Sequence, residues 1–146
     1  MELKFNDLKQ LLPHRYPFLL VDRVLDLKIG FYAIGIKNII YDDPYNDNLE
    51  GKQYYPPELV IESLGQLTAI LYIISNNATN REFILGSIKG ISVFQKIPAN
   101  EQIRMEVNVS HMTNSYAIAS GKAFAEDNSL ILTIEEFICK INPINV

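Results

Sequence analysis

The chain has 146 residues, of which 48% are hydrophobic and 21% are charged, as is usual for a globular domain with a sizeable core. Its formal net charge of −4 argues against nucleic-acid binding, because contacts with phosphates require a basic surface. The single cysteine, Cys139, excludes an internal disulfide and a cysteine-based metal site, and we expect no metal and no other cofactor. It also indicates a reducing compartment. Since residues 1–10 are polar and do not resemble a signal peptide, we expect a cytoplasmic protein.

The first forty residues predict a short helix followed by a pair of strands. The helix covers residues 5–12, where Asn6 suits the N-cap position and Pro13 marks the end. The strands cover residues 18–27 and 31–40, and a tight turn joins them.

A long loop and an apolar helix are predicted in the middle of the chain. Residues 41–57 are rich in Asp, Asn, Tyr and Pro without any period, which predicts a loop long enough to be functional. Residues 58–75 are apolar on nearly every side, and they are preceded by prolines suited to a first helical turn. This helix contains Glu62 and Gln66 and is shorter than the roughly 20 apolar residues that a bilayer requires. We therefore expect a buried helix and no membrane association.

The rest of the chain predicts antiparallel strands. The clearest signal is the strict alternation of apolar and polar residues over 102–110. Further strands are expected over residues 83–97, as one or two strands, and over 116–125 and 130–140. A curved antiparallel sheet wrapped around one buried helix satisfies this order, which is the α+β arrangement of the hot-dog fold. We expect residues 1–146 to form a single domain of this kind.

Two motifs resemble those of a known enzyme family. Residues 12–24 read LPHRYPFLLVDRV, and residues 59–66 read LVIESLGQ. The first is similar to the opening signature of the bacterial (3R)-hydroxyacyl-[acyl-carrier-protein] dehydratases, and the second resembles the start of their central helix. The resemblance identifies Glu62 with the catalytic glutamate of that family. It implies a hot-dog dimer that binds acyl thioesters of acyl carrier protein and has active sites shared between two chains.

The chain departs from this family in the loop before the central helix. The catalytic histidine position is occupied by Asn48, whose amide cannot accept a proton at physiological pH. The glycine whose N–H holds the thioester carbonyl is replaced by Pro57, which has no N–H. Glu62 can still serve as the acid, because burial would raise its pKa. We therefore expect a homodimer of this chain to have little dehydratase activity.

The candidate site contains eight residues. Glu62 and Asn48 occupy the catalytic positions of the family, and the remaining six are candidates for substrate binding: Gln66, Tyr54, Tyr55, Pro57, Ile91 and Phe94. Of the two histidines, His14 belongs to the opening signature and is expected to be structural, whereas His111 is expected at the surface.

Three roles remain open from the sequence. In the first, the chain is a dehydratase-family subunit whose Glu62 completes a site in a heterodimer with a complete paralogue. In the second, it is a hot-dog thioesterase in which an ionised Glu62 activates water, and Gln66 and Asn48 orient the water and the carbonyl. In the third, it is a non-catalytic acyl-binding or assembly subunit. The partners expected are acyl carrier protein or an acyl thioester, together with a second chain in a homodimer, a higher oligomer or that heterodimer.

Overall fold

The structure is a computed structural model, and it describes residues 1–14, 18–78 and 81–143. The signature residues 15–17 lie outside these ranges. In the described ranges the elements follow the order α1 (Phe5–Leu11), β1 (Arg23–Lys28), β2 (Tyr32–Ile39), β3 (Asp47–Leu49), β4 (Lys52–Tyr55), α2 (Pro57–Asn76), β5 (Arg81–Val93), β6 (Ile97–Pro98), β7 (Glu101–Met112), β8 (Tyr116–Phe124) and β9 (Leu130–Pro143).

One large antiparallel sheet accounts for most of the strands. Six of them are hydrogen-bonded in the order β1-β2-β7-β8-β9-β5, and a small second sheet has the order β3-β4-β6. The helix α2 packs against β2, β7 and β8 of the large sheet. This is the predicted α+β hot-dog arrangement, in which a sheet wraps one central helix.

The central helix α2 is buried because its apolar residues cover most of its circumference. Pro56 is its N-cap and Pro57 its first residue, and it ends where Asn77 adopts a left-handed conformation with φ of 47°. Two glycines allow the sheet to approach closely: a Cβ on Gly35 would lie 3.1 Å from Leu67, and one on Gly121 would lie 3.1 Å from Leu64. Within the described residues α2 is the one helix long and apolar enough to cross a membrane, and 67% of its apolar window is buried inside the protein. It is therefore the core helix of this fold.

The alternation predicted for residues 102–110 is confirmed in β7. Ile103, Met105 and Val107 are completely buried against the helix, whereas Arg104 and Glu106 are partly exposed on the other face. A period of two places successive side chains on opposite faces of a strand, so one face of β7 meets the core.

Two predicted element starts are wrong. The N-cap of α1 is Lys4 rather than Asn6, and the Lys4 N–H donates to Asp7 Oδ2 at 2.9 Å. The strand predicted from residue 18 begins only at Arg23. Of the residues before it, Leu19, Leu20 and Val21 are buried. The backbone of Phe18 and Leu20 bonds to a side chain of α2, as described below, and bonding to β2 starts where the Asp22 N–H donates to the Ile36 carbonyl.

The loop predicted over residues 41–57 contains a β-hairpin. The strands β3 and β4 pair so that Leu49 faces Lys52, which leaves a two-residue turn. Both turn residues, Glu50 and Gly51, have positive φ values of 51° and 77°. Such a turn is usually formed by Asn-Gly or Asp-Gly, and the presence of Glu50 is why the sequence did not indicate a hairpin. The hairpin matters because it leads directly into α2.

Candidate active site

One candidate binding region is a cavity of about 360 Å³ between the β3–β4 hairpin, the start of α2 and the segment after β5. We call it the hairpin cavity. Its lining includes four of the predicted substrate-binding residues, Tyr54, Tyr55, Pro57 and Phe94. The other lining residues are Asp47, Leu49, Val93, Gln95, Lys96 and Ile97. Because apolar side chains dominate this list, the cavity suits an apolar ligand.

The two tyrosines of the hairpin cavity have different environments. Tyr54 is partly exposed, and the Lys96 ammonium lies 5.2 Å from the centre of its ring. Tyr55 is only 2% exposed. Burial, and then the negative charges of Asp43 and Asp22, raise the pKa of Tyr55, so its phenol stays neutral. The Tyr55 phenol is therefore unsuited to act as a general base near neutral pH.

Glu62 lies in a second, much smaller pocket on the side of α2 that faces β5. We call this the Glu62 pocket, and it is lined by His14, Glu62, Gly65, Gln66, Ala69, Phe83, Leu85 and Cys139. Its volume of about 20 Å³ is sufficient for one water molecule and too small for an acyl chain.

The Glu62 pocket favours the uncharged forms of its titratable groups. Burial raises the pKa of Glu62, because its charged form loses solvation among apolar neighbours. Burial also lowers the pKa of His14. The pKa of Cys139 is raised to about 12, first by burial and then by the charge of Glu62. A carboxyl group, an imidazole and a thiol therefore share one small space in which the pKa of each is shifted towards its uncharged form.

Gln66 has a clear structural function. Its Oε1 accepts a hydrogen bond from the Leu20 N–H at 2.8 Å, and its Nε2 donates to the Phe18 carbonyl at 2.7 Å. The side chain is 3% exposed. Gln66 thus replaces a neighbouring strand as the bonding partner of residues 18–20, and its amide is held by the backbone rather than presented to a ligand.

Asn48 and Ile91 lie apart from both sites. Asn48 is exposed on β3 opposite Gln53 and does not line the hairpin cavity. Ile91 is 45% exposed on β5 and lines neither the hairpin cavity nor the Glu62 pocket. Within one chain, the structure therefore does not bring Asn48 and Glu62 into one pocket.

The sequence analysis missed the position of His14, which was expected to be structural only. The structure places its imidazole in the same pocket as Glu62. The two family motifs offered a signal, since residues 12–24 and 59–66 are packed against each other through Gln66. Among the residues that the structure describes, no group of three or more His, Cys, Asp or Glu side chains is arranged to hold a metal ion.

Comparisons with known proteins agree with this geometry. The FabA-like domain matches residues 12–135. A 3-hydroxyacyl-[acyl-carrier-protein] dehydratase FabZ of Bacillus cereus is 32% identical over 124 residues, which cover 84% of this chain and 85% of the relative. The corresponding FabZ of Clostridioides difficile is 27% identical over 139 residues, covering 94% of this chain and 92% of the relative.

Solved structures with the same fold include a dehydratase and a thioesterase. The dehydratase heterocomplex ApeI:P of Xenorhabdus doucetiae superposes with a TM-score of 0.76 at 13% identity, covering 94% of this chain and 91% of that chain. The thioesterase HI1161 of Haemophilus influenzae has a TM-score of 0.70 at 6% identity, and the match covers 99% of this chain and 94% of that chain. At such identities the likeness shows the hot-dog fold alone. The match over residues 12–135 and the identity to FabZ relatives show more: this chain belongs to the FabA-like domain family and is a relative of the FabZ 3-hydroxyacyl-[acyl-carrier-protein] dehydratases.

Proposed function

We propose that this chain binds 3-hydroxyacyl thioesters of acyl carrier protein. In this proposal Glu62 is the acid of a dehydratase site whose base is supplied by a complete paralogue. The observation that carries this proposal is the position of Glu62 in an apolar pocket that raises its pKa. The process it serves is acyl-chain synthesis of the fatty-acid or polyketide type in the cytoplasm.

The chemistry requires one base and one acid. A base removes the α-proton of the thioester, the electron pair forms the new double bond, and the β-hydroxyl leaves as water with a proton from the acid. Glu62 suits the second role because burial favours its protonated form. Asn48 cannot take the first role, so the base comes from the histidine of the paralogue.

The hairpin cavity supports substrate binding in this proposal. Its apolar lining suits an acyl chain, and Tyr54 and Phe94 are exposed enough to contact it. Pro57 stands at the start of α2 without an N–H, so the chain lacks one donor for the thioester oxygen. Loss of one such donor costs on the order of 100-fold to 1,000-fold in rate, which is a second reason why a homodimer should be weak.

The edge strand β5 supports assembly with a second chain. It is the last strand of the large sheet, so one side of its backbone has no partner strand among the residues that the structure describes. Three apolar side chains along it, Ile84, Ile91 and Val93, are 44% to 51% exposed. A long unpaired edge with exposed apolar residues is a surface that proteins normally cover, and a strand of the paralogue would do so.

The hydrolytic alternative receives less support from the geometry. A thioesterase would need an ionised Glu62, whereas the pocket favours its protonated form. It would also need amides that orient water and carbonyl, but Gln66 is bonded to the Phe18 and Leu20 backbone and Asn48 is exposed on the hairpin. The remaining alternative is a non-catalytic acyl-binding or assembly subunit. The experiment described next distinguishes it from the proposed dehydratase role.

The decisive experiment is a complementation assay. A complete dehydratase from the same source is prepared with its own catalytic glutamate changed to glutamine, which inactivates its homodimer. The two chains are then co-expressed with different tags, and the heterodimer is isolated by two affinity steps. We expect it to form enoyl product from a 3-hydroxyacyl thioester, because the paralogue's histidine and Glu62 complete one site.

The matched controls lie on the same helix. Glu62→Gln should abolish the complemented activity, whereas Glu58→Gln, at an exposed position in the first turn of α2, should leave it unchanged. Enoyl formation by this chain alone would refute the need for a paralogue. Release of free thiol without enoyl product would support hydrolysis. If no mixture forms any product, the supported role is that of a binding or assembly subunit.

A further inference from the structure

We infer that Asp47 is a specificity-determining residue, whose carboxylate accepts a hydrogen bond from the 3-hydroxyl group of an acyl chain bound in the hairpin cavity. This inference rests on the proposed function, because the ligand is the same acyl thioester. It goes beyond that function by naming the residue that makes the chain prefer hydroxyacyl groups to acyl groups without a hydroxyl.

The pairing of the β3–β4 hairpin turns Asp47, rather than Asn48, towards the cavity. Successive residues of a strand point to opposite faces, and Asp47 lies directly opposite Tyr54 of β4. Asp47, Leu49 and Tyr54 all line the hairpin cavity, whereas Asn48 does not. The position that the family resemblance identifies is therefore turned away from the cavity, and the residue before it places a polar group there instead.

The carboxylate of Asp47 is available to a ligand. Among the described residues that line the hairpin cavity, it is the single carboxylate. Its oxygens take part in no hydrogen bond and no ion pair with the residues that the structure describes. The Gln95 amide nitrogen, in contrast, already donates to Ser129 Oγ at 2.7 Å and to the Leu130 carbonyl at 2.8 Å. A ligand that enters the cavity therefore meets an unoccupied acceptor at Asp47.

The hydrogen-bonding character of Asp47 matches the hydroxyl group of the substrate. A carboxylate has two oxygens that accept hydrogen bonds and no donor of its own. The acyl part of a 3-hydroxyacyl thioester has one donor, the hydroxyl, and its carbonyl oxygen can only accept. An enoyl or a saturated acyl group has no donor at all. Asp47 therefore favours the substrate of dehydration over the product, which loses this hydrogen bond together with the hydroxyl.

The position of Asp47 suits the third carbon of the chain. Asp47 is exposed and so lies at the rim of the cavity, whereas Ile97 in its wall is 1% exposed. A carrier protein is far larger than a cavity of about 360 Å³, so the thioester stays at the opening while the alkyl tail points inward. The third carbon is separated by only two bonds from the thioester carbonyl carbon. Its hydroxyl therefore also stays at the rim, where Asp47 lies.

The experiment measures how strongly the purified chain binds two probes that differ in one hydroxyl group. The probes are (3R)-hydroxyoctanoyl-pantetheine and octanoyl-pantetheine, and isothermal titration calorimetry gives the Kd of each. We expect the parent to bind the hydroxylated probe about 10-fold more tightly, because a hydrogen bond to a charged group contributes at least that much. A site that bonds a ligand hydroxyl discriminates against the analogue without it.

The variants remove or weaken the acceptor at one position. Asp47→Ala should raise the Kd of the hydroxylated probe about 10-fold and leave the Kd of octanoyl-pantetheine unchanged, which also shows that the variant is folded. Asp47→Asn keeps an acceptor oxygen without the charge, so it should retain part of the preference. The control Glu50→Gln removes a carboxylate from the exposed turn of the same hairpin, outside the cavity lining, and should keep the full preference.

Each outcome has a distinct meaning. A preference that is lost in Asp47→Ala and kept in Glu50→Gln supports the inference. Equal Kd values for the two probes in the parent would overturn it, as would a full preference in Asp47→Ala, and in both cases the proposed binding of acyl thioesters still stands. Equal weakening of both probes in Asp47→Ala would show a structural role for Asp47 and would also overturn it. If the parent binds neither probe, the proposed function fails and this inference fails with it.

Discussion

The Leu20 N–H donates a hydrogen bond of 2.8 Å to Gln66 Oε1, and this contact ties the central helix to the chain segment before the first strand. The Gln66 side chain also donates a hydrogen bond from its Nε2 to the Phe18 carbonyl, at 2.7 Å. The two family motifs are therefore joined physically. Gln66 stabilises the position of the signature that carries His14, and it acts on the Glu62 pocket by fixing its wall rather than by contacting a substrate.

Replacing Gln66 should destabilise the fold. Gln66→Leu leaves the Leu20 N–H and the Phe18 carbonyl without their partner, and each unsatisfied buried polar group costs about 1–3 kcal/mol. We expect the free energy of unfolding to fall by about 2–4 kcal/mol in urea denaturation. The control Gln10→Ala, on the exposed face of α1, should change it by less than about 0.5 kcal/mol. Equal stability of Gln66→Leu and the parent would show that these two hydrogen bonds do not stabilise the fold.

The parts of the fold that the sequence predicted are those with a long local period. The buried face of β7 and the apolar surface of α2 each repeat a pattern over nine residues or more, so local residues alone determine which side is buried. The β3–β4 hairpin was missed because its strands have three and four residues, too few to show a period, and because Glu50 occupies a turn position that favours Asn or Gly.

The candidate site was only partly predictable for a different reason. The hairpin cavity is lined by two short segments of the chain, and four of its members were predicted, around the start of α2 and just after β5. The Glu62 pocket combines His14, α2, β5 and Cys139, which are far apart along the chain. Its composition depends on long-range packing, which local patterns do not contain.

The stability of the protein should depend on pH through Glu62. Its pKa is raised in the folded protein above its ordinary value of 4.5, so between 4.5 and the folded pKa the folded state binds more protons than the unfolded state. Stability then falls as pH rises through this window, and the contribution of Glu62 is fully present only below 4.5.

The variant Glu62→Gln isolates this effect, because a glutamine does not titrate. Relative to the parent, it should become progressively more stable as pH rises from about 4 to about 9 in chemical denaturation. Groups remote from Glu62 contribute equally to both proteins and cancel in the difference, and Glu58→Gln should show no such trend. A difference that stays constant over the whole range would mean that the pocket does not perturb Glu62.

Cys139 should be unreactive in the native protein. Its thiol is buried and has a pKa of about 12, so at pH 8 only about one molecule in ten thousand carries the thiolate that reacts with alkylating agents. We expect iodoacetamide to modify native Cys139 at least about 1,000-fold more slowly than the urea-unfolded chain at the same pH. Mass spectrometry follows both reactions. Rapid modification of the native protein would show that the Glu62 pocket opens to solvent more readily than the structure indicates.

The exposed edge strand β5 should form the contact with a second chain. Ile91 is 45% exposed there and lines neither of the two candidate sites, although the sequence analysis assigned it to substrate binding. A charge buried against another chain without a partner is strongly unfavourable, so Ile91→Asp should convert the oligomer to a monomer in sedimentation velocity. The control Ile29→Asp, at a 55% exposed position beside β1 on the opposite edge of the sheet, should leave the oligomer intact. If the Ile91→Asp variant instead stays oligomeric and binds acyl thioesters more weakly, Ile91 contacts the substrate, and β5 does not form the contact between the two chains.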